Sequence, residues 1–284
     1  MGISIHNAIA EASQLLRDAA IDEPRMEAGL LLAAVVGRDR TFLIAHSPDA
    51  LTDEHLQTFR AFVQRRIQGE PLQYIVGHQE FFKLDFEVTT DVLIPRPETE
   101  IIIEAALDLA RNDPKPFIAD IGTGSGCLAI SLLHELRGAR AIATDISLNA
   151  LRVARRNAER HNVLDRLAIL VADGLSALRT DELFSLIVSN PPYVAASDFN
   201  ALPREVRDYE PSAALVAGPD GLSYIRALLA DAPARLRSGG YFIFEFGFGQ
   251  DKKLQRLMDS KVWQLIEIRK DLQQIPRTMV LQKR

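Results

Sequence analysis

The sequence has a single cysteine, Cys127, so no internal disulfide can staple it, and a reducing, cytoplasmic compartment is expected. Its six histidines (His6, His46, His55, His78, His134, His161) fall at no paired metal-ligand spacing, so no metal is expected. The opening M-G-I-S-I-H has no cationic stretch ahead of an apolar one, and His6 stands where a myristoylation motif needs Ser or Thr, so no targeting signal is read. The longest apolar run, Ala28 to Gly37, has 10 residues. That is about half of the ~20 that span a bilayer, which marks a core helix and gives no expectation of a membrane partner. Basic blocks are also missing: Lys plus Arg is 33 against Asp plus Glu 38, a net charge of −5. A strong grip on nucleic acid phosphates is therefore not expected. What is present, 47% hydrophobic and 25% charged residues in 284, fits a folded chain of one or two domains without repeats or low-complexity tracts.

Two patterns divide the chain. Residues 1–76 read as a small helical bundle: Ile5, Ile9, Ala12, Leu15, Leu16 and Ala19 recur every three to four residues, Pro24 opens a second segment, and Leu56, Phe59, Phe62, Val63 and Ile67 form a third stripe. Residues 77–97 read as a hairpin linker, since Phe82, Leu84, Phe86 and Val88 alternate with polar neighbours, followed by a Pro-rich extended turn, L-I-P-R-P-E-T-E. From 98 to 284 helices and strands alternate. Helices are expected at 99–111, 126–137, 147–161, 220–237 and 250–259, and strands at 116–121, 140–145, 167–172, 184–189, 241–246, 263–269 and 277–283. Short apolar strands between helices predict an α/β fold with a mostly parallel sheet, whose ligands bind beyond the C-terminal strand ends at the topological switch point.

Two segments there carry chemistry. The first is D-I-G-T-G-S-G, Asp120 to Gly126, at a strand end: Gly122, Gly124 and Gly126 let the backbone turn and approach a ligand, with Thr123 and Ser125 between them. A dinucleotide fingerprint would need glycine where Cys127 stands. The loop suits instead a nucleoside with a short amino-acid arm, such as S-adenosylmethionine. Asp145, 23 residues after Gly122 at the next strand end, could accept both ribose hydroxyls or cap the helix beginning near Ser147. Asp173 and Gly174 end the third strand, where the carboxylate could reach an adenine amino group or simply form a turn.

The second segment is S-N-P-P-Y, Ser189 to Tyr193. Pro191 and Pro192 withhold two backbone donors, leaving rigid carbonyls beside the Asn190 side chain. A planar NH2 group is a poor nucleophile because its lone pair is delocalised. If the Asn190 oxygen and the Pro191 carbonyl accept its two hydrogens, its nitrogen can pyramidalise toward an electrophilic methyl while Tyr193 stacks on the flat substrate group.

The order P-L-Q-Y-I-V-G (71–77), L-I-P-R-P-E-T-E (93–100), D-I-G-T-G-S-G, D-I-S (145–147), V-S-N-P-P-Y and E-P-S-A-A-L-V-A-G-P-D-G-L (210–222) closely resembles the peptide chain release factor glutamine methyltransferases, the HemK/PrmC family. The N-P-P-Y tetrapeptide is shared with many amino-group methyltransferases; I-P-R-P-E-T-E favours the release-factor enzymes over a related ribosomal-protein glutamine methyltransferase. The resemblance implies a seven-stranded, Rossmann-like class I methyltransferase domain behind an N-terminal helical domain that engages the release factor. It implies that Asp120, Gly122 to Gly126, Asp145, Asp173, Gly174 and Asn190 bind S-adenosylmethionine. Asn190 to Tyr193, with Arg96 and Glu98, would hold the glutamine of a Gly-Gly-Gln segment, and S-adenosylhomocysteine would be the other product. Two positions depart from the family: Gly174, where members often carry an aromatic, and Gln274, where a glycine is usual. Three other readings stay open at this stage: an adenine-N6 methyltransferase of nucleic acid, a cofactor-binding but inactive interaction protein, and an NAD oxidoreductase.

Overall fold

The computed structural model describes residues 2–181 and 183–284. The chain forms two compact units, one comprising residues up to Gly77 together with Pro203–Tyr209, the other His78–Leu202 with Glu210–Arg284. The return of 203–209 to the helical unit is not signalled by the hydrophobic pattern.

The first unit contains α1 (Ile5–Asp18), α2 (Pro24–Val36), α3 (Arg40–Ala45), α4 (Asp53–Ile67) and α5 (Leu72–Val76). Ser4, Asp39 and Thr52 cap α1, α3 and α4 through their side chains, and Pro24 starts α2 where its missing N–H costs nothing. Ile5, Leu16, Leu31, Leu32, Phe59 and Val63 form the core. Arg66 is buried within it, donating to Glu27 at 2.6 Å, and also pairs with Glu205 at 3.1 Å.

The second unit opens with a hairpin of β1 (His78–Phe81) and β2 (Leu84–Glu87). Sequence alternation places Phe82 in a strand, but Phe82 and Lys83 are the turn itself. Both have positive φ, as a two-residue hairpin turn matched to strand twist requires, and the Phe82 N–H donates to Glu100. Thereafter α6 (Glu100–Ala110), β3 (Phe117–Ile121), α7 (Cys127–Glu135), β4 (Arg140–Asp145), α8 (Leu148–Arg160), β5 (Leu167–Val171) and β6 (Phe184–Ser189) alternate. The short α9 (Arg204–Tyr209) lies in the excursion to the first unit. Then come α10 (Ser223–Asp231), β7 (Leu236–Glu245), α11 (Asp251–Leu257), β8 (Trp263–Lys270) and β9 (Pro276–Lys283). The helix expected to run to 237 stops at Asp231 because Pro233 follows, and β7 begins earlier than expected, passing Gly239 at φ +71° and a register shift against β6.

The seven-stranded sheet has the order β5-β4-β3-β6-β7-β9-β8. Pairs from β5 to β7 are parallel, while β9 runs antiparallel to both β7 and β8. One face packs on α6, α7 and α8 with Phe81 and Phe86 of the hairpin, the other on α10 and α11 with Phe242, Phe244 and Trp263. The strand order reverses between β3 and β6, so the segments leaving those two strands border the crevice. Among the described residues no helix is long and apolar enough to cross a membrane.

Candidate active site

The loop after β3 is supported from below. Asp120 is fully buried; its Oδ2 accepts from the Thr123 hydroxyl at 2.6 Å and from the Ala129 N–H at 3.1 Å. Burial pushes this carboxyl up to about 6. Asp120, which the sequence reading put among the cofactor-binding residues, is bonded here to the loop through Thr123 and to the first turn of α7 through Ala129. The Gly122 and Thr123 N–H groups each donate to the Thr144 carbonyl at 2.9 Å. Gly122, Gly124 and Gly126 all have positive φ. A Cβ on Gly122 or Gly124 would meet nothing within 4 Å, so those two border open space. A Cβ on Gly126 would lie 2.7 Å from Ile130 Cδ1 and 3.2 Å from Ala154 Cβ, so that glycine serves the packing of α7 on α8. Buried Asn157 bonds Ser125 O at 2.9 Å and both backbone groups of Glu87, tying the loop to the hairpin.

Half-buried Asp145, at the end of β4, accepts from the Gly124 N–H and from the Ser147 N–H, each at 2.9 Å. The cap of α8 is Ser147 itself, whose hydroxyl accepts from Ala150. Asp145 thus ties the glycine loop to the start of α8. At the end of β5, Asp173 is exposed and Gly174, φ +54°, accepts from the Thr144 hydroxyl. The Tyr224 hydroxyl comes within 3.8 Å of where a Cβ on Gly174 would be. Burial, then the charges of Asp173 and Asp145, push that phenol up to about 12. An aromatic ring therefore reaches this corner from α10, although position 174 supplies none.

At the end of β6, Ser189 donates to the Ile121 carbonyl at 2.7 Å, tying this strand end to the end of β3. Asn190 Nδ2 donates to Thr99 Oγ1 at 2.9 Å; Thr99 donates to Glu245 Oε2 at 2.6 Å; the Tyr193 hydroxyl donates to Glu245 Oε1 at 3.1 Å. Glu245 and Thr99 are buried. Burial raises the Glu245 carboxyl above the usual carboxylate range, against the hydrogen bonds from Thr99 and Tyr193 and the nearby Arg277. Pro191 is buried and Tyr193 half-buried; burial beside Glu245 pushes the Tyr193 phenol far up, so it stays protonated. Gln250 donates to the Tyr193 carbonyl at 2.9 Å, and a Cβ on Gly221, φ +73°, would fall 2.2 Å from that carbonyl, so only glycine lets the G-P-D-G segment close on the turn.

Arg96 pairs with buried Glu210, joining the P-R-P and E-P-S segments within this unit, and half-buried Glu98 adds to the upward push on Glu245. Glu245, Thr99, Asn157 and Tyr224 were not picked out from sequence. The one legible signal among them is the acid inside the apolar run Y-F-I-F-E-F; the others depend on long-range packing.

Two family models match the chain: the PrmC N-terminal domain over residues 7–77 and the methyltransferase small domain over residues 99–205. The release factor glutamine methyltransferase of Bradyrhizobium diazoefficiens is 41% identical over 99% of this chain and 96% of its own length. That of Nitratidesulfovibrio vulgaris is 40% identical over 96% and 93%. Among solved structures, the hMettl16 catalytic domain in complex with MAT2A 3'UTR hairpin 6 matches with a TM-score of 0.55 at 18% identity, covering 81% of each chain. This last likeness is one of fold alone.

Proposed function

The chain belongs to the release factor glutamine methyltransferase family, and we propose that it transfers a methyl group from S-adenosylmethionine to the side-chain nitrogen of the glutamine in the Gly-Gly-Gln segment of class 1 release factors. The observation that supports the reading is the parallel pairing of β3 with β6, so that the glycine loop and Asn190–Tyr193 follow the C-terminal ends of adjacent strands, together with the open space where a Cβ on Gly122 or Gly124 would go.

The residues fit such a methyl donor. We assign the open space beside the two left-handed glycines to the amino-acid arm, Asp145 to the ribose hydroxyls, and the Asp173–Gly174 turn with Tyr224 to the remaining corner. S-adenosylmethionine supplies, when bound, a methyl group on a positively charged sulfur that needs no further activation. The protein's part is positioning. The Asn190 oxygen and the Pro191 carbonyl accept the two hydrogens of the substrate amide, which frees the nitrogen lone pair along the transfer direction. Tyr193, kept neutral, stacks on the amide plane. Holding the two reactants in line is worth up to roughly 7–11 kcal/mol, and the product's extra proton passes to water. Residues 1–76 act as the release-factor-engaging part, and the reaction belongs to the cytoplasm.

The test is mass spectrometry of a release factor after incubation with enzyme and S-adenosylmethionine. One methylene is expected on the Gly-Gly-Gln peptide, and its appearance elsewhere would reassign the substrate. Asn190→Ala should lower turnover roughly 10²–10³-fold with cofactor affinity changed far less; unchanged turnover would remove the role given to Asn190.

A further inference from the structure

We propose that Glu245, acting through Thr99, is a positioning residue that decides which end of the Asn190 amide faces the substrate. The inference rests on the reading of Asn190 as an acceptor, and adds how that polarity is enforced.

An amide side chain can present oxygen or NH2 in nearly the same volume, so a turn that must accept hydrogen bonds needs something to forbid the flipped form. Thr99 has one hydroxyl hydrogen, committed to Glu245 Oε2 at 2.6 Å. Only lone pairs remain for Asn190, and its Nδ2 takes them at 2.9 Å. Flipping the amide would set its oxygen against those lone pairs. Oδ1 is thereby turned away from Thr99. The other carboxylate oxygen, Oε1, takes the hydroxyl hydrogen of Tyr193. Both hydroxyls donate and both oxygens accept, the pattern of an ionised carboxylate. One buried anion thus orients the first and last residues of Asn190–Tyr193. An apolar residue at 245 would sit in β7 without the desolvation cost of a buried charge, so the strand itself does not require an acid here.

The chain of bonds is tested with three variants, each checked for an unchanged unfolding midpoint. Thr99→Val keeps shape and removes the relay; Thr99→Ser keeps the hydroxyl; Glu245→Gln replaces an acceptor pair with one acceptor and one donor. Thr99→Val and Glu245→Gln are expected to lower kcat roughly 10- to 100-fold while the S-adenosylmethionine dissociation constant stays near that of the parent, and Thr99→Ser to restore most of the rate. Parental kcat in Thr99→Val, or a Thr99→Ser variant as slow as Thr99→Val, would overturn the proposal. A second readout does not depend on turnover: the side-chain NH2 of Asn190 in nitrogen-15-labelled protein should hold one slowly exchanging hydrogen in the parent and in Thr99→Ser, and lose it in Thr99→Val. Free exchange in the parent would overturn the relay, whereas a protected hydrogen in a parent that methylates no release factor would leave the relay standing and sink the functional reading.

Discussion

Asp120 holds the glycine loop with a charge that the fold does not solvate. Its ordinary value near 3.8 rises to about 6, chiefly through burial, with the charge of Asp145 adding to the push and the bonds from Thr123 and Ala129 opposing it. A carboxyl raised on folding favours the folded state while protonated, so its contribution is fully present below about pH 4 and is lost as pH rises through about 6. The rise corresponds to roughly 3 kcal/mol. In Asp120→Asn, which cannot titrate, that slope disappears. The unfolding free energy of the parent minus that of the variant should therefore fall with rising pH between about 4 and 6 and level off above, as denaturant titrations at several pH values would record. A flat difference would mean that the carboxyl titrates normally.

The glycine loop between β3 and α7 makes the argument at the scale of an element, because its glycines do different work. Gly124 has φ +55° and open space where a Cβ would go; Gly126 has φ +85° and Ile130 and Ala154 in the way. Gly124→Ala should cost about 1 kcal/mol of stability for its left-handed backbone and a larger loss of S-adenosylmethionine affinity, since the new methyl occupies the approach. Gly126→Ala carries the same backbone cost plus roughly 1–3 kcal/mol of overpacking, and should show mainly as a lower unfolding midpoint. Calorimetric titration and thermal melts of the pair read both quantities; equal affinity losses would argue against the open side of Gly124 as the binding face. The distinction bears on what sequence can convey. Three glycines after an apolar strand mark the loop, and an asparagine followed by two prolines after another apolar strand marks S-N-P-P-Y, because both patterns are local. That Gly126 serves α8, that Asp120 faces inward, and that Thr99 and Glu245 lie behind Asn190 are set by contacts between segments 91 and 146 residues apart for the last two bonds of that chain. Periodicity likewise finds the seven long strands, but not Phe82 and Lys83 as a turn, since a two-residue hairpin needs only positive φ and these side chains look like strand residues.

For the whole molecule the informative feature is the path of the chain, which leaves the sheet-containing unit after Leu202, spends Pro203–Tyr209 in the helical unit and returns at Glu210. Within the helical unit that excursion is held by Arg66, whose side chain is 8% exposed and bonds Glu27 at 2.6 Å and Glu205 at 3.1 Å, and by the Tyr209 hydroxyl donating to Gln68. The two acids are not equivalent. Glu27 is 13% exposed, so losing its cation strands a desolvated charge; Glu205 is 46% exposed and can turn to water. Arg66→Ala should accordingly destabilise the helical unit by roughly 3 kcal/mol, and Glu205→Gln by under about 1 kcal/mol. Scanning calorimetry with and without S-adenosylmethionine separates the units, because a ligand of the sheet-containing unit raises only the transition of the unit it binds. The Arg66→Ala loss should fall on the transition that the ligand does not raise, with the dissociation constant for S-adenosylmethionine unchanged. If the ligand-sensitive transition drops instead, Arg66 stabilises the chain by some route other than its two carboxylates in the helical unit.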